Sequence, residues 1–360
     1  MAHRTAKKPQ VSVILAVRDA QDELVRSAES VLSQSLRDIE LVIADCASSE
    51  RTAATIARLA DRDIRVETVP CADPALMAGQ RAALAVARAP YALMMSASDW
   101  LGPDYLERML AAARADGAQL VMSSLSVEVP SRDAVGRRSA VIAGTDRSWS
   151  SADAFRRDAP ALFAEGGLAN PAGKLLVADR LRAAFDAVPA GVSAFEVALA
   201  YLRDVERASM LHAPVYHLAL ARPLARRGSA PFDPDLYAAC ERRHAALLAL
   251  FGAWGVAGDA ALLEPIHRMH LAGIIRCIEN ASLGAGKLSS IERRQRVQDM
   301  IDAPATCDSI VALRAASRDF GLMFAPIARR SASACCMSAR ISDLIARALT
   351  PITRQRAACL

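Results

Sequence analysis

Short apolar runs alternate with longer amphipathic segments over the first third of the chain. The runs are rich in β-branched and aliphatic residues and predict strands over 11–17 (VSVILAV), 39–45 (IELVIAD), 64–69 (IRVETV), 91–95 (YALMM) and 118–124 (AQLVMSS). The segments between them place apolar residues at helical spacing and predict helices over 19–36, 52–60, 75–89 and 105–115. Strands that alternate with helices of this length predict a mostly parallel sheet covered on both faces.

The pattern changes twice in the rest of the chain. Ser, Arg, Asp and Gly dominate 127–163, which predicts a surface insertion or loop region. Periodicity returns over 170–185 and 194–211, and after Pro231 only helices are predicted, over 236–251, 260–280 and 289–301. The predicted organisation is therefore a basic extension (1–10), an α/β domain (11–222), a helical domain (233–325) and a basic tail (326–360).

The strand ends are the places to look for chemistry, because ligands of open parallel sheets bind at the carboxyl ends of the strands. These ends carry Arg18 with Asp19, Asp45 with Cys46, and the loop 96–99 (SASD). Neither a Gly-x-Gly-x-x-Gly after the first strand nor a phosphate-binding Gly-x4-Gly-Lys-Ser/Thr is present, which disfavours a dinucleotide oxidoreductase and an NTPase.

Composition and charge exclude several classes of protein. The chain is 53% hydrophobic but only 4% aromatic, which favours an α/β or α protein over a β-sandwich. Six Arg and one Asp give 326–360 a net charge of +5, which equals the net charge of the whole chain. Residues 1–325 are therefore neutral overall, and no nucleic acid partner is predicted. Eight cysteines without a Cys-x-x-Cys pair are interpreted as reduced thiols. The first ten residues lack the apolar core of a secretory signal, and the longest uncharged run, 245–258, is too short to span a bilayer, so a cytoplasmic protein is expected.

Three segments resemble the family 2 glycosyltransferases. The stretch 11–50 resembles the opening of that family, 91–110 (YALMMSASDWLGPDYLERML) is similar to its metal-binding loop and following helix, and 170–185 with 212–223 looks like its acceptor-side half. The resemblance covers about 11–222. It implies a GT-A fold, in which a Rossmann-like, mostly parallel sheet is here followed by a helical region. It also implies inverting transfer of a sugar from a nucleotide-sugar donor, with Mg or Mn as cofactor.

The resemblance assigns roles to five residues. Val17, Asp45 and Arg81 fall at nucleotide-binding positions, Asp99 at the metal loop and Glu196 near the position of the catalytic base. Several family positions are replaced. The carboxylate beside Asp45 is Cys46, and the acidic metal loop keeps only its last carboxylate, because Ser96 and Ser98 stand in it. The Glu-Asp pair that carries the base is Ser193-Ala194.

Each of these residues also has a structural interpretation. Asp45 can cap its own turn, Asp99 can cap the helix that follows it, and Glu196 and Arg81 can be solvated surface residues. Lys174 matches a family lysine or is an ordinary exposed one, and His212 and His217 are interpreted as structural.

Two functions follow from the sequence. The first is a non-processive family 2 glycosyltransferase that acts on a glycan or lipid-linked acceptor in the synthesis of a cell-surface polysaccharide. The second is a catalytically inactive GT-A domain that binds a nucleotide sugar or a partner protein as a scaffold.

The tail adds a question about membranes. Ile341, Leu344 and Ile345 predict an amphipathic helix that Pro351 ends. The stripe either lies on the inner leaflet as a peripheral contact or packs on the helical domain.

Overall fold

The computed structural model describes residues 8–130, 137–142, 145–189, 191, 193–219, 231–284 and 288–357. The chain divides into two compact units. The first comprises Met1–Leu162 with Gly166–Pro223, and the second comprises Phe163–Glu165 with Leu224–Leu360.

The first half of the first unit is a parallel sheet with helical crossovers. Its elements are β1 (Val11–Val17), α1 (Gln21–Leu32), β2 (Ile39–Cys46), α2 (Glu50–Arg62), β3 (Val66–Cys71), α3 (Leu76–Val86) and β4 (Tyr91–Ser96). The four strands lie in the order β3-β2-β1-β4, all parallel. Every residue of β1 is buried, which explains why the strand reads as an unbroken apolar run. The strand and helix predictions for this half are confirmed within a few residues.

The second half extends the same sheet with mixed strand directions. Its elements are β5 (Trp100–Leu101), α4 (Tyr105–Asp116), β6 (Leu120–Pro130), β7 (Arg137–Ile142), β8 (Arg147–Trp149), α5 (Ala152–Ala164), β9 (Leu175–Val177), α6 (Ala178–Asp186), α7 (Ala194–Leu202) and β10 (Ala208–Ala219). The sheet continues from β4 as β9-β6-β10-β5, with β9 antiparallel to both neighbours and β10 parallel to β6. The carboxyl end of β10 therefore lies at the same edge of the sheet as the carboxyl end of β4.

The prediction that 127–163 is a loop region was wrong. The end of β6, the strands β7 and β8 and the helix α5 all lie in it. β7 pairs antiparallel with β6 outside the main strand order, and β8 pairs antiparallel with β10. Short peripheral strands of this kind are held by backbone hydrogen bonds to a longer partner, so they form without the apolar run that marks a buried strand.

The second unit is helical, as predicted. It contains α8 (Leu236–Ala253), α9 (Ala260–Leu283), α10 (Ser290–Asp302), α11 (Pro304–Ala312), a 3-10 segment (Arg314–Met323), α12 (Phe324–Ala328) and α13 (Ala332–Ala357). The prediction that Pro351 ends the last helix was wrong, because α13 continues to Ala357. A proline removes one helical hydrogen bond, and a long helix can continue past that loss.

The apolar stripe of the tail is exposed. Cys335 and Ala339 face the core of the helical unit, whereas Met337, Ile341, Leu344 and Ile345 lie on the exposed side of α13. The structure therefore does not show these side chains packed on the helical unit. Over the described residues, no helix is both long and apolar enough to cross a membrane.

Three neighbouring histidines lie inside the helical unit. The rings of His244 and His270 stack with centroids 3.9 Å apart, and both His267 and His270 approach the Ser309 hydroxyl through Nδ1. Burial lowers the pKa of His244 to about 3 and that of His270 to about 4. These two rings are therefore neutral at pH 7 and belong to the packing of the unit.

Candidate active site

The carboxyl ends of adjacent strands bring together two of the three predicted nucleotide residues, Val17 and Asp45. Val17 at the end of β1 is in register with Asp45 on β2, and Ala16 is in register with Ser96 on β4. Val17 is buried, whereas Asp45 is half-buried at the start of the next turn. The sheet thus places the loops after β1, β2 and β4 side by side, at the edge where ligands of such sheets bind.

The loops after β1 and β2 are tied to each other. The Asp19 carboxylate accepts a hydrogen bond from the Ser49 backbone N–H at 2.8 Å, and the Asp19 N–H donates to the Ser48 hydroxyl at 3.2 Å. Asp19 and Ala47 both have left-handed backbone conformations, with φ of 48° and 53°. The Ser49 bond lowers the pKa of Asp19, so this carboxylate is charged at neutral pH.

Asp45 shapes its own turn. Its Oδ1 accepts a hydrogen bond from the Ser48 backbone N–H at 3.1 Å. The side chain therefore has the turn-forming contact that the sequence allowed, and its second oxygen, Oδ2, accepts no hydrogen bond among the described residues. A role in nucleotide binding stays a prediction for Asp45, as it does for Val17.

Cys46 occupies the position next to Asp45 without contributing charge. Its side chain is fully buried, and burial raises the pKa of the thiol to about 11. The sulfur lies over Gly79 of α3, where an added Cβ would approach Sγ to 2.3 Å. The Cys46 side chain therefore leaves room only for a glycine at position 79. The two residues are far apart in the sequence, and the sequence pattern did not reveal this contact.

The loop after β4 alternates between outward and inward side chains. Ser96 is exposed and Ser98 is partly exposed, with their hydroxyl oxygens 3.2 Å apart, whereas Ala97 and Asp99 are buried. Asp99 points into the protein, where its Oδ2 accepts a hydrogen bond from the Tyr216 hydroxyl at 2.6 Å. Its Oδ1 accepts one from the Ala219 backbone N–H at 2.9 Å. Burial raises the pKa of the Asp99 carboxyl, although its hydrogen bonds oppose that shift.

This arrangement does not fit a divalent cation held by the protein. Mg and Mn sites are built from several oxygen ligands, with carboxylates foremost, that face a common point. Asp99 is 3% exposed and both of its oxygens are engaged, so the loop offers only the two serine hydroxyls outward. Over the part of the chain that the structure describes, no three His, Cys, Asp or Glu side chains are placed to hold a metal ion. The assignment of Asp99 as a metal ligand stays a prediction that this geometry does not favour.

Glu196 caps a helix. It is the third residue of α7 and accepts hydrogen bonds from the Ser193 backbone N–H at 2.9 Å and from the Ser193 hydroxyl. The two residues form a capping box, which satisfies donors at the start of the helix. The contact gives Glu196 a structural role, and its role as catalytic base stays a prediction.

Arg81 and Lys174 both contact backbone carbonyls. Arg81 on α3 donates to the Val188 carbonyl at 3.3 Å, and its guanidinium lies 3.9 Å from the Asp186 carboxylate. Lys174 is not an exposed lysine: its Nζ is buried and donates to the Asn170 carbonyl at 2.6 Å. Burial lowers the pKa of Lys174 to about 8.

The two histidines of β10 have different surroundings. His212 is exposed and lies where the pairing of β10 with β6 is irregular, between Leu211 and Val215. His217 stacks on Trp100 of β5 with ring centroids 4.9 Å apart and an interplanar angle of 7°. Its Nδ1 lies 3.2 Å from the Glu128 carboxylate on β6. The sequence pattern did not bring Trp100, Glu128 and His217 together, because the three belong to separate strands.

This fold, a mostly parallel sheet with polar groups at the carboxyl ends of its strands, is of the GT-A type. Residues 12–168 match the family described as "Glycosyl transferase family 2". The match confirms, over that segment, the resemblance found in the sequence.

Curated relatives match the chain over part of its length. The succinoglycan biosynthesis protein ExoO of Rhizobium meliloti is 30% identical over 121 residues, which make up 34% of each protein. The putative glycosyltransferase EpsH of Bacillus subtilis is 27% identical over 120 residues, which make up 33% of this chain and 35% of EpsH. The matched segment therefore spans about a third of these relatives.

Solved structures match almost the whole chain. The crystal structure of S. aureus TarS 1–349 superposes with a TM-score of 0.62 at 13% identity, covering 92% of this chain and 90% of that one. The same TarS segment in complex with UDP-GlcNAc gives a TM-score of 0.60 at 12% identity and the same coverage. The likeness confirms the predicted fold, a GT-A sheet followed by a helical region.

The Asp99 contacts predict a loss of stability when the carboxylate is removed. Asp99→Ala leaves the Tyr216 hydroxyl and the Ala219 N–H buried without their acceptor, at about 1–3 kcal/mol for each unpaired group. We expect the free energy of unfolding, measured by urea titration, to fall by at least about 2 kcal/mol. The control is Asp104→Ala, which removes a half-exposed acid five residues away and is expected to change stability by less than about 0.5 kcal/mol. Equal stabilities of the two variants would contradict the structural role of Asp99.

Proposed function

We propose that this protein is a glycosyltransferase that moves a sugar from a nucleotide-sugar donor to a glycan or lipid-linked acceptor in polysaccharide synthesis. The observation that carries the proposal is the meeting of the loops after β1, β2 and β4 at one sheet edge, within a segment of family 2. The relatives support the acceptor class, because ExoO is a succinoglycan biosynthesis protein. The TarS complex with UDP-GlcNAc supports the donor class.

The proposed reaction is a single displacement that inverts the anomeric carbon. The acceptor hydroxyl oxygen forms a bond to that carbon while the carbon–oxygen bond to the donor diphosphate breaks. The bonding electron pair leaves with the nucleoside diphosphate, and the hydroxyl proton passes to a base. We propose Val17, Asp45 and Arg81 as nucleotide contacts and Glu196 as the base.

A scaffold without catalysis is the second candidate function. It is favoured by the structural hydrogen bonds of Asp99 and Glu196 and by the neutral thiol at Cys46. A scaffold needs neither a base nor charge compensation at a leaving group. The transferase and a scaffold that binds a nucleotide sugar both predict nucleotide binding, whereas a scaffold that binds a partner protein does not require it. Only the transferase predicts turnover.

Calorimetric titration with UDP, GDP, ADP, CDP and dTDP tests nucleotide binding. At least one is expected to bind the wild-type protein, and its affinity should fall by about tenfold or more in Asp45→Ala. Asp45→Asn is the matched variant, because its amide oxygen still accepts the Ser48 N–H bond while the charge is lost. Affinity equal to wild type in both variants would remove Asp45 from the site, and no binding by any nucleotide would contradict the proposed function.

Glu196→Gln separates catalysis from helix capping. Glutamine at this position still accepts the capping bonds from Ser193, so stability should be preserved. Loss of a general base is expected to lower turnover by roughly 10²-fold or more, measured as release of nucleoside diphosphate from the donor. Ser193→Ala is the control, since it breaks the capping box but keeps the carboxylate. Full turnover in Glu196→Gln would assign the proton to another group.

We also propose that the exposed stripe on α13 contacts the anionic inner leaflet of a membrane. The net charge of +5 over 326–360 complements anionic lipid, and each basic residue near such a surface contributes about 1 kcal/mol. The apolar side chains on the exposed side of this helix would enter the headgroup region. A lipid-linked acceptor would then be reached from the cytoplasmic side.

Vesicle co-sedimentation tests the membrane contact. The full chain is expected to bind vesicles that contain phosphatidylserine at low salt and to leave them at high salt. The double substitution Ile341→Gln, Leu344→Gln should reduce binding several-fold, whereas Val311→Gln, on another exposed surface of the helical unit, should not. Equal vesicle binding by the double variant and by Val311→Gln would exclude the stripe as the membrane contact.

A further inference from the structure

An arginine and a histidine contact one tryptophan beside the loop after β4. The guanidinium carbon of Arg26 on α1 lies 4.0 Å from the centre of the Trp100 ring, and the His217 ring is stacked on the same indole. The Arg26 Nη2 also donates to the Ser98 carbonyl at 2.8 Å. An arginine or histidine that packs against an indole face is held in one orientation, because the stacking restricts its rotamers.

His217 is oriented further by a buried carboxylate. Glu128 is 6% exposed and accepts a hydrogen bond from the Ser126 hydroxyl at 2.7 Å through the oxygen that faces His217 Nδ1. When the ring is protonated and donates Nδ1–H to Glu128, its other nitrogen, Nε2, presents a second N–H. Among the described residues, no hydrogen bond engages that nitrogen, and the ring is 29% exposed.

The strand pairing brings these groups to the loop 96–99. His217 is in register with Trp100, the residue that follows Asp99. Two residues after His217, Ala219 donates its N–H to Asp99 and accepts a hydrogen bond from the Ser98 hydroxyl at 3.3 Å. Arg26 reaches the same loop through the Ser98 carbonyl. Arg26 and the carboxyl end of β10 therefore both contact the loop that carries the Ser96 and Ser98 hydroxyls.

A nucleoside diphosphate at this loop needs compensation for its charge. The loop itself supplies no outward carboxylate to hold a cation, because Asp99 is directed inward. Arginine and imidazolium groups form charge-assisted hydrogen bonds with phosphate oxygens directly. We propose that Arg26 and His217, mounted on Trp100, bind the donor diphosphate in place of a protein-held metal ion. This inference rests on the proposed function, because it names the groups that would receive the diphosphate of its donor.

The four residues of this cluster have different roles. The cluster consists of Arg26, Trp100, Glu128 and His217. Arg26 and His217 donate hydrogen bonds to the diphosphate, and the exposed hydroxyl of Ser96 donates an additional one. Trp100 and Glu128 are positioning residues, since they act on the diphosphate only through the side chains that they hold. When the donor bond breaks, negative charge grows on the β-phosphate, and fixed donors at that place stabilise it.

The test compares nucleotide affinities with and without a divalent ion. The probe is whichever of UDP, GDP, ADP, CDP and dTDP binds the wild-type protein, together with its monophosphate, titrated in EDTA and in excess Mn. Wild-type affinity for the diphosphate is expected to change by less than about threefold between the two conditions. His217→Asn keeps a donor to Glu128 but loses Nε2, and Arg26→Gln loses the charge. Each substitution is expected to weaken binding of the diphosphate by about tenfold and binding of the monophosphate much less.

A matched histidine on the same strand provides the control. His212→Asn removes an exposed imidazole outside the cluster and should leave both affinities unchanged. Since Arg26 is exposed, its substitution is compatible with folding, and thermal unfolding of each variant verifies this. Diphosphate binding that disappears in EDTA and returns with Mn would overturn the inference. The inference would also be overturned if His217→Asn and Arg26→Gln bound the diphosphate as tightly as His212→Asn does. No diphosphate binding under any condition would instead contradict the proposed function itself.

Discussion

The buried carboxylate of Asp99 is the constraint on which the candidate site depends. A buried carboxylate is costly unless donors satisfy its oxygens, and here the two donors come from β10, 117 and 120 residues along the chain. Their bonds fix the carboxyl end of β10 against the loop after β4. The Tyr216 ring in turn requires a glycine at position 173, because an added Cβ there would approach the ring to 2.9 Å. One acidic side chain thereby holds together the loop, the strand β10 and the segment that leads to Lys174.

The inward direction of Asp99 decides what the loop presents to a ligand. Side chains alternate along the loop, so the burial of Asp99 and Ala97 places Ser96 and Ser98 outside. Alternation along β10 likewise separates Tyr216, which faces the core, from His217, which stacks on Trp100. The outward groups of this loop and of the end of β10 are consequently hydroxyls and the His217 imidazole, and the one acid of the loop serves the fold.

The sequence predicted the regular part of this structure and missed the part that depends on distant partners. The strands β1, β2 and β4 were readable because both faces of each are covered, which demands apolar runs. The strand β7 was not, since it is held by the backbone of β6. The direction of Asp99 was hidden because it depends on Tyr216. The capping role of Glu196 was missed, although the local pattern Ser-x-x-Glu is the signature of a capping box.

By the resemblance, Cys46, Ser96 and Ser98 stand at positions where the family carries carboxylates, and this difference affects the electrostatics of the sheet edge in two connected ways. Fewer carboxylates provide fewer ligands for a divalent ion. They also provide less negative charge to repel a diphosphate, so the attraction of Arg26 is less opposed, while Asp19 and Asp45 remain at this edge. A strongly acidic edge needs a cation before it can accept an anion, whereas an edge with fewer carboxylates and a fixed arginine can accept the anion directly. The substitutions that weaken a metal site are therefore the ones that make metal-free binding of a diphosphate physically consistent at this edge.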